Sequence, residues 1–242
     1  MRKTLAIVCI FVASSIHAQK SNQYQQVDFS ATAGSKQGTL AAAYSYNTRF
    51  GKSHKFDIGL GVRNTAYFGT KKDFITAGPA RLTRTFTTPF AIFFAGQQES
   101  NFDTLVVQRS FVNAVNIALN LGYHFNEKIS AGFNIDLVGF SFGTKTNGVF
   151  KSNGQTITEP SAKPSAFNLL LTGDHDKGSL NSEFFLRYNL NSRWGIKGVY
   201  QFVFVEYQAN SVEQTFADGS KNDRFRNKAN NFGLGITWQL NK

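Results

Sequence analysis

Segments that alternate apolar and polar residues recur along this chain, and the links between them are short and long in turn. The clearest segment is NFGLGITWQL, residues 231–240, where Phe232, Leu234, Ile236, Trp238 and Leu240 alternate with Asn231, Gly233, Gly235, Thr237 and Gln239. A strand built from it shows one large apolar face and one small polar face. In a soluble sandwich the apolar face meets a protein core. In a membrane barrel it meets lipid, and the small polar face meets a crowded lumen.

The links separate these two readings. Gly51 to Lys55, Asn126 to Lys128 and Asn191 to Arg193 are tight, whereas roughly Gly69 to Arg109, Gly143 to Gly178 and Gln208 to Arg226 are long. Hairpin loops normally take about 2–5 residues, and tight turns on one side with long loops on the other belong to a membrane barrel. The period-two pattern predicts about eight strands, near 27–34, 39–50, 55–67, 110–125, 129–142, 180–190, 194–207 and 229–240. An even number brings both chain ends to the side of the tight turns. Phe167 to Leu171 allows a further strand and a total of ten; the side assignment favours a hairpin standing above the membrane instead. The link Ser35 to Gly38 is short for an outer loop. The expected fold is all-β, an antiparallel up-and-down transmembrane β-barrel.

The first residues fit export. Arg2 and Lys3 precede an apolar run from Leu5 to about Ser15, and Ala18 offers a cleavage point, which is the layout of a signal peptide over 1–18. Residues 19–26 are then a short periplasmic segment and 27–242 the barrel. Cleavage removes Cys9, the single cysteine, so no disulfide is available. Beyond the leader no apolar run reaches the roughly 18 residues of a membrane helix. Phe alone counts 25, and a mean hydropathy of -0.25 suits a barrel that turns half of each strand inward. The formal charge of +11 falls to about +9 without Arg2 and Lys3. For an exported basic chain the counter-charge expected is anionic lipid or lipopolysaccharide phosphate, not nucleic acid; the alternative is that the excess merely keeps loops soluble.

Period-two parity turns a balanced set of charges inward. Asp28, Asp57, Asp136 and Glu183 are opposed by Arg49, Arg63, Arg187 and Lys197. An eight-stranded barrel is only wide enough for side chains inside, and an unpaired buried ion costs several kcal/mol, so these charges are expected to pair. Two readings stand: a structural plug, or the lining of a narrow ion or solute path. On the first, Arg187→Ala is expected to cost roughly 3–5 kcal/mol. His124 points inward near a turn as a hydrogen-bonding residue.

Chemistry is otherwise sparse. No catalytic constellation, cofactor motif or metal spacing is present; Ser179, Ser182 and His175 are crude candidates for a lipid-modifying barrel enzyme, and 174–178 reads as a turn before a cation site. The loop TTPFAIFFAGQQE, 87–99, carries Phe90, Ile92, Phe93 and Phe94 where water is expected. Such a patch marks a lid, a membrane dock, a partner or solute contact, or a local packing cluster. Lys71, Lys72, Arg81 and Arg84 precede it as candidate contacts for lipopolysaccharide phosphate.

NIALNLGYHFNEKISAGFNIDLVGFSFG, SLNSEFFLRYNLNSRWGIKG and NFGLGITWQL together resemble the small outer-membrane β-barrel proteins of Bacteroidetes-type bacteria. In architecture the chain is similar to eight-stranded barrels of the OmpA and OmpX type. The resemblance implies a fold, an outer-membrane location and handling by the assembly machinery, and it implies no activity. One departure is the ending, where Asn241 and Lys242 follow Leu240 in place of a terminal aromatic, leaving Trp238 and Leu240 as the nearest substitutes. The function expected is a non-enzymatic envelope-structural or surface-interaction role, without cofactor. The alternative is a narrow channel for small or hydrophobic solutes.

Overall fold

The computed structural model of the chain describes residues 22–88, 95–171 and 176–241; the expected leader, 1–18, lies outside them. Strands follow one another as β1 (Gln23–Gly34), β2 (Gln37–Phe50), β3 (Phe56–Thr76), β4 (Thr104–His124), β5 (Ile129–Gly143), β6 (Thr146–Ser152) and β7 (Gln155–Pro164). β8 (Phe167–Leu169), β9 (Leu180–Asn189), β10 (Trp194–Gln208), β11 (Gln214–Thr215), β12 (Lys221–Asn222) and β13 (Arg224–Asn241) complete the chain. Eight of them, β1, β2, β3, β4, β5, β9, β10 and β13, pair in that order, all antiparallel. β13 closes the ring on β1, from Ala33 opposite Phe232 to Gln25 opposite Asn241. A closed ladder leaves no unpaired edge, the condition for strands to cross lipid.

The alternation in the sequence becomes two faces. Phe232, Leu234, Ile236 and Trp238 of β13 are exposed, while Asn231, Thr237 and Gln239 are buried in the interior. The same outward set recurs as Ile58, Leu60 and Val62 on β3 and as Leu186 and Tyr188 on β9. Aromatic rings cluster at both ends of this band. At the tight-turn end Trp194 stacks on Trp238 at 5.8 Å, and Phe50, Phe56, Tyr123 and Phe125 touch in sequence. At the other end Phe68 meets Phe111, and Tyr200 meets Phe232. An apolar belt between two aromatic girdles is the exterior of a transmembrane barrel. Inside, two glycines permit close approach: a Cβ on Gly233 would lie 2.0 Å from the Ala31 carbonyl oxygen, and one on Gly235 would strike the Lys197 stem at 2.7 Å.

All three tight turns lie at one end with the start of β1 and the end of β13. In two of them Asn126 and Asn191 accept backbone N–H groups two and three residues ahead, closing the turn through their own side chains.

Several sequence boundaries shift. β1 begins at Gln23, so residues 23–26 of the expected periplasmic segment are strand, with Tyr24 and Gln26 facing inward. QYQQ lacks an apolar face, which conceals the strand. Much of the expected long loops is strand too, since β3 runs to Thr76 and β4 starts at Thr104. Phe167–Leu169 forms no extra ring strand; it lies against Val138–Phe140 of β5, beyond the ladder that β5 shares with β9.

Above the ring the barrel narrows. The β1–β2 hairpin stops after a turn at Ser35 and Lys36, and β13 then pairs with β3 through Phe225 opposite Thr76 and Arg226 opposite Ile75. β4 pairs with β6, β6 with β7, and β7 with β10. The short outer hairpin thus lets a second ring of six strands, β3, β4, β6, β7, β10 and β13, close as a collar. Fewer strands mean a narrower interior. The collar is filled by Phe74, Leu105, Val107, Phe150, Val205, Tyr207 and Phe225, all fully or nearly fully buried. Each such side chain contributes roughly 1.5–3 kcal/mol on burial.

Candidate functional site: the filled lumen

Inward residues of the eight-stranded ring form three polar layers beneath the collar. Nearest the tight turns, Asp57 accepts the Tyr24 hydroxyl at 2.7 Å and lies 2.5 Å from His124 Nε2, with Arg49 Nε at 3.7 Å. Arg49 sits at the rim, with 33 % of its side chain exposed.

In the middle layer Lys197 bridges two acids, 2.5 Å from Glu183 and 3.6 Å from Asp28. Thr237 donates its hydroxyl to Asp28 at 2.5 Å, and the Gln26 amide donates to the same carboxylate at 2.8 Å. Arg187 lies 3.9 Å from Asp28, gives Nη1 to Gln26 Oε1 at 3.1 Å and rests over the Phe185 ring at 4.8 Å. The missing side chain at Gly235 leaves room for the Lys197 stem that reaches these acids.

The third layer is the tightest. Arg63 donates Nε and Nη2 to Asp136 Oδ1 at 2.9 and 2.6 Å, and Nη2 also reaches the Asn181 carbonyl. Asn116 Nδ2 and the Asn181 backbone N–H occupy Asp136 Oδ2 at 2.8 and 2.9 Å. Arg63 and Asp136 are 3 % and 0 % exposed. Beside them Gln201 Oε1 accepts from Thr32, Thr39 and Asn231. Low dielectric strengthens bonds of this kind and equally penalises any that go unmade.

The eight residues singled out by parity therefore share the interior and lie against partners of opposite sign, Arg49 at its edge and Arg187 the most loosely. Which acid meets which base was not legible. Arg63 on β3 reaches Asp136 across β4 to β5, and Lys197 joins β9 to β1, so the pairs depend on register around the ring. The neutral members Tyr24, Gln26, Asn116, Asn181 and Gln201 were not singled out, although on their strands they share inward parity with Asp28, Ala118, Glu183 and Lys197.

Room for a path is small. Two cavities of about 10 Å³ each lie in the lumen, one beside Lys197 and Arg63 and the other between Asp136 and Val205. Each is about the size of a single water probe. Beyond the second comes the apolar collar.

Other candidate groups give less. Among the described residues no three His, Cys, Asp or Glu gather as metal ligands. Ser179 is buried with its hydroxyl accepting the Glu206 N–H at 3.3 Å. His175 and Asp174, and the apolar loop residues Phe90, Ile92, Phe93 and Phe94, lie outside the described residues.

No family model and no curated protein matches this chain. Among solved structures it is similar to Ail, the attachment invasion locus protein of Yersinia pestis, seen with the heparin analogue sucrose octasulfate. That alignment has 9 % identity and a TM-score of 0.36, covering 90 % of this chain and 98 % of that one. It is also similar to Neisserial surface protein A, at 10 % identity and a TM-score of 0.37, covering 90 % and 97 %. The toluene transporter TodX of Pseudomonas putida aligns at 9 % identity and a TM-score of 0.21, covering 95 % and 92 %. The fold assignment rests on the closed ladder itself.

Proposed function

We propose that this chain is an exported, non-enzymatic barrel of a bacterial outer membrane that works through the surface it displays outside, with its lumen serving as a structural plug. The observation that carries this reading is the sealed axis: paired charges fill the ring and an apolar core fills the collar above it. A wet path needs a continuous polar lining, and Phe74, Leu105, Phe150 and Phe225 interrupt one. The tight turns and both ends of the ring then belong to the periplasm, and the collar with its loops stands outside. Such a collar is a rigid platform, held by strand pairing where other barrels carry free loops. Lipid, the assembly machinery and a surface partner are the contacts this placement supplies.

Protease protection tests it. Trypsin added to intact cells making the protein is expected to cut on the collar side, where Arg81 and Lys221 are exposed. Lys52, Lys55 and Lys128 in the tight turns are equally exposed in the structure and are expected to survive until the outer membrane is opened. The reverse pattern would overturn the orientation.

A further inference from the structure

A second charged cluster lies on the outer face of β10 and β13, beside the collar, where neither the lumen nor the plug uses it. Glu206 is fully buried there and takes Arg226 Nη2 at 2.8 Å, Arg224 Nη1 at 3.4 Å and the Gly178 N–H at 3.1 Å. Arg226 Nη2 also donates to the Asp176 carbonyl at 2.5 Å, and its Nε, on a residue 8 % exposed, has no hydrogen-bond acceptor. Arg84 and Lys228 complete the group. Four basic residues, Arg84, Arg224, Arg226 and Lys228, thus lie with two acids, Glu206 and Asp176, a formal excess of two positive charges when Lys228 is protonated.

Three of these cations, Arg84, Arg226 and Lys228, line a cavity of about 350 Å³ together with Phe102, Phe202, Phe204 and the acid Asp176. Arg226 and Lys228 lie 5.2 and 5.9 Å from the Phe204 ring. Lys228 is four residues beyond Phe232, the last outward aromatic of β13, which places the cavity at the outer rim of the apolar belt. An anion entering from the headgroup level meets cations, and the body that carries it meets aromatic faces.

We propose that this cavity binds a phosphate monoester carried on a sugar or glycolipid body, with Arg84, Arg226 and Lys228 as its ligands. The assignment deepens the outward orientation proposed above and rests on it for the ligand's source. Burial, together with Arg84 and Arg226, lowers the Lys228 ammonium to a pKa of about 7, while Asp176 opposes the shift. A phosphate dianion adds the negative charge this ammonium lacks, so binding and protonation of Lys228 favour each other. Affinity is therefore greatest between about pH 6, where a phosphate monoester gains its second charge, and about pH 7, and falls above that as the ammonium loses its proton.

The test uses the full folded chain in neutral detergent, where orientation plays no part, so its failure is separable from that of the protease experiment. Calorimetric titration with glucose 1-phosphate is run beside native mass spectrometry with lipid A and with the same lipid stripped of its phosphates. Binding of the phosphorylated forms is expected to weaken about tenfold in Lys228→Gln and in Arg84→Gln, the loss of one charge-assisted bond. Lys221→Gln, an exposed cation elsewhere, is expected to bind as the parent does. Binding of lipid A alone identifies a lipid headgroup as the ligand, and binding of glucose 1-phosphate identifies a phosphate that is also taken up free. Equal binding of the stripped lipid, no binding of either phosphate, or affinities unmoved by both substitutions would overturn the site.

Discussion

Replacing Arg63 with alanine is expected to destabilise the barrel by about 3–5 kcal/mol, because Asp136 is left as a buried charge without its partner. Asp136 retains only the Asn116 amide and the Asn181 N–H, both on Oδ2, and loses both guanidinium bonds on Oδ1. A water admitted to the space the guanidinium leaves would restore hydrogen bonds to Oδ1 but not the opposite charge. Urea unfolding in lipid vesicles, followed by tryptophan emission, reads the loss directly. Arg63→Ala with Asp136→Asn is expected to recover most of it, since the buried charge is then removed. Arg187→Ala, for which the sequence alone suggested a loss of that size, is now expected to cost less. Its Asp28 neighbour is 3.9 Å away and keeps Lys197, Thr237 and Gln26 when the guanidinium goes. Equal losses for Arg63→Ala and Arg187→Ala would count against this ranking.

The second large effect is expected in the collar. Glu159 of β7 is fully buried, and its carboxylate accepts the N–H groups of Ser161 on one oxygen and of Asn210, Ser211 and Val212 on the other, at 2.7–3.2 Å. Successive N–H groups converging on one anion form a nest. Hydrogen bonds to a charged group are worth about 1.5–3 kcal/mol each. Glu159→Ala forfeits four, but Asn210 and Ser211 are exposed and their amides regain water, so a net loss of about 2–4 kcal/mol is expected. The loss should be local: amide exchange at residues 209–212 accelerates while the membrane ring keeps its heat-resistant migration on gels. Unchanged exchange there would show that the nest does not hold the collar.

How far the sequence reveals this architecture depends on where alternation persists. Along β13 the inward residues stay at odd positions, through Ala229, Asn231 and Thr237, and the membrane half of that strand was legible. In β3 the inward set is Arg63, Thr65 and Tyr67 but then Phe74 and Thr76, a switch from odd to even. Lys71, with φ of 39°, sits at the switch and drops out of the ladder between Thr70 and Lys72. β4 switches with it, from Leu105 and Val107 to Ser110, Val112 and Ala114. A pattern that must keep one parity ends at Tyr67 and resumes at Ser110, so the collar strands read as loop. The lumen charges were legible for the opposite reason: each lies on a stretch of its strand where alternation is unbroken, Asp136 just before the bulge at Leu137 that switches β5 from even to odd, and a narrow barrel has no room for unpaired ions. The Glu206 cluster was hidden because its residues have outward parity and are covered by chain distant in sequence, at Asp176 and Gly178.

The collar and the lumen network lead to one claim, that the axis of this barrel is sealed. Single-channel recording of the folded, inserted protein in a planar bilayer tests it most directly. The structure predicts a silent bilayer, with no steps above lipid alone, from protein whose insertion is shown independently by heat-modifiable migration. Stable, reproducible conductance steps would contradict the seal, and would make the charges around Lys197 and Arg63 a path for ions.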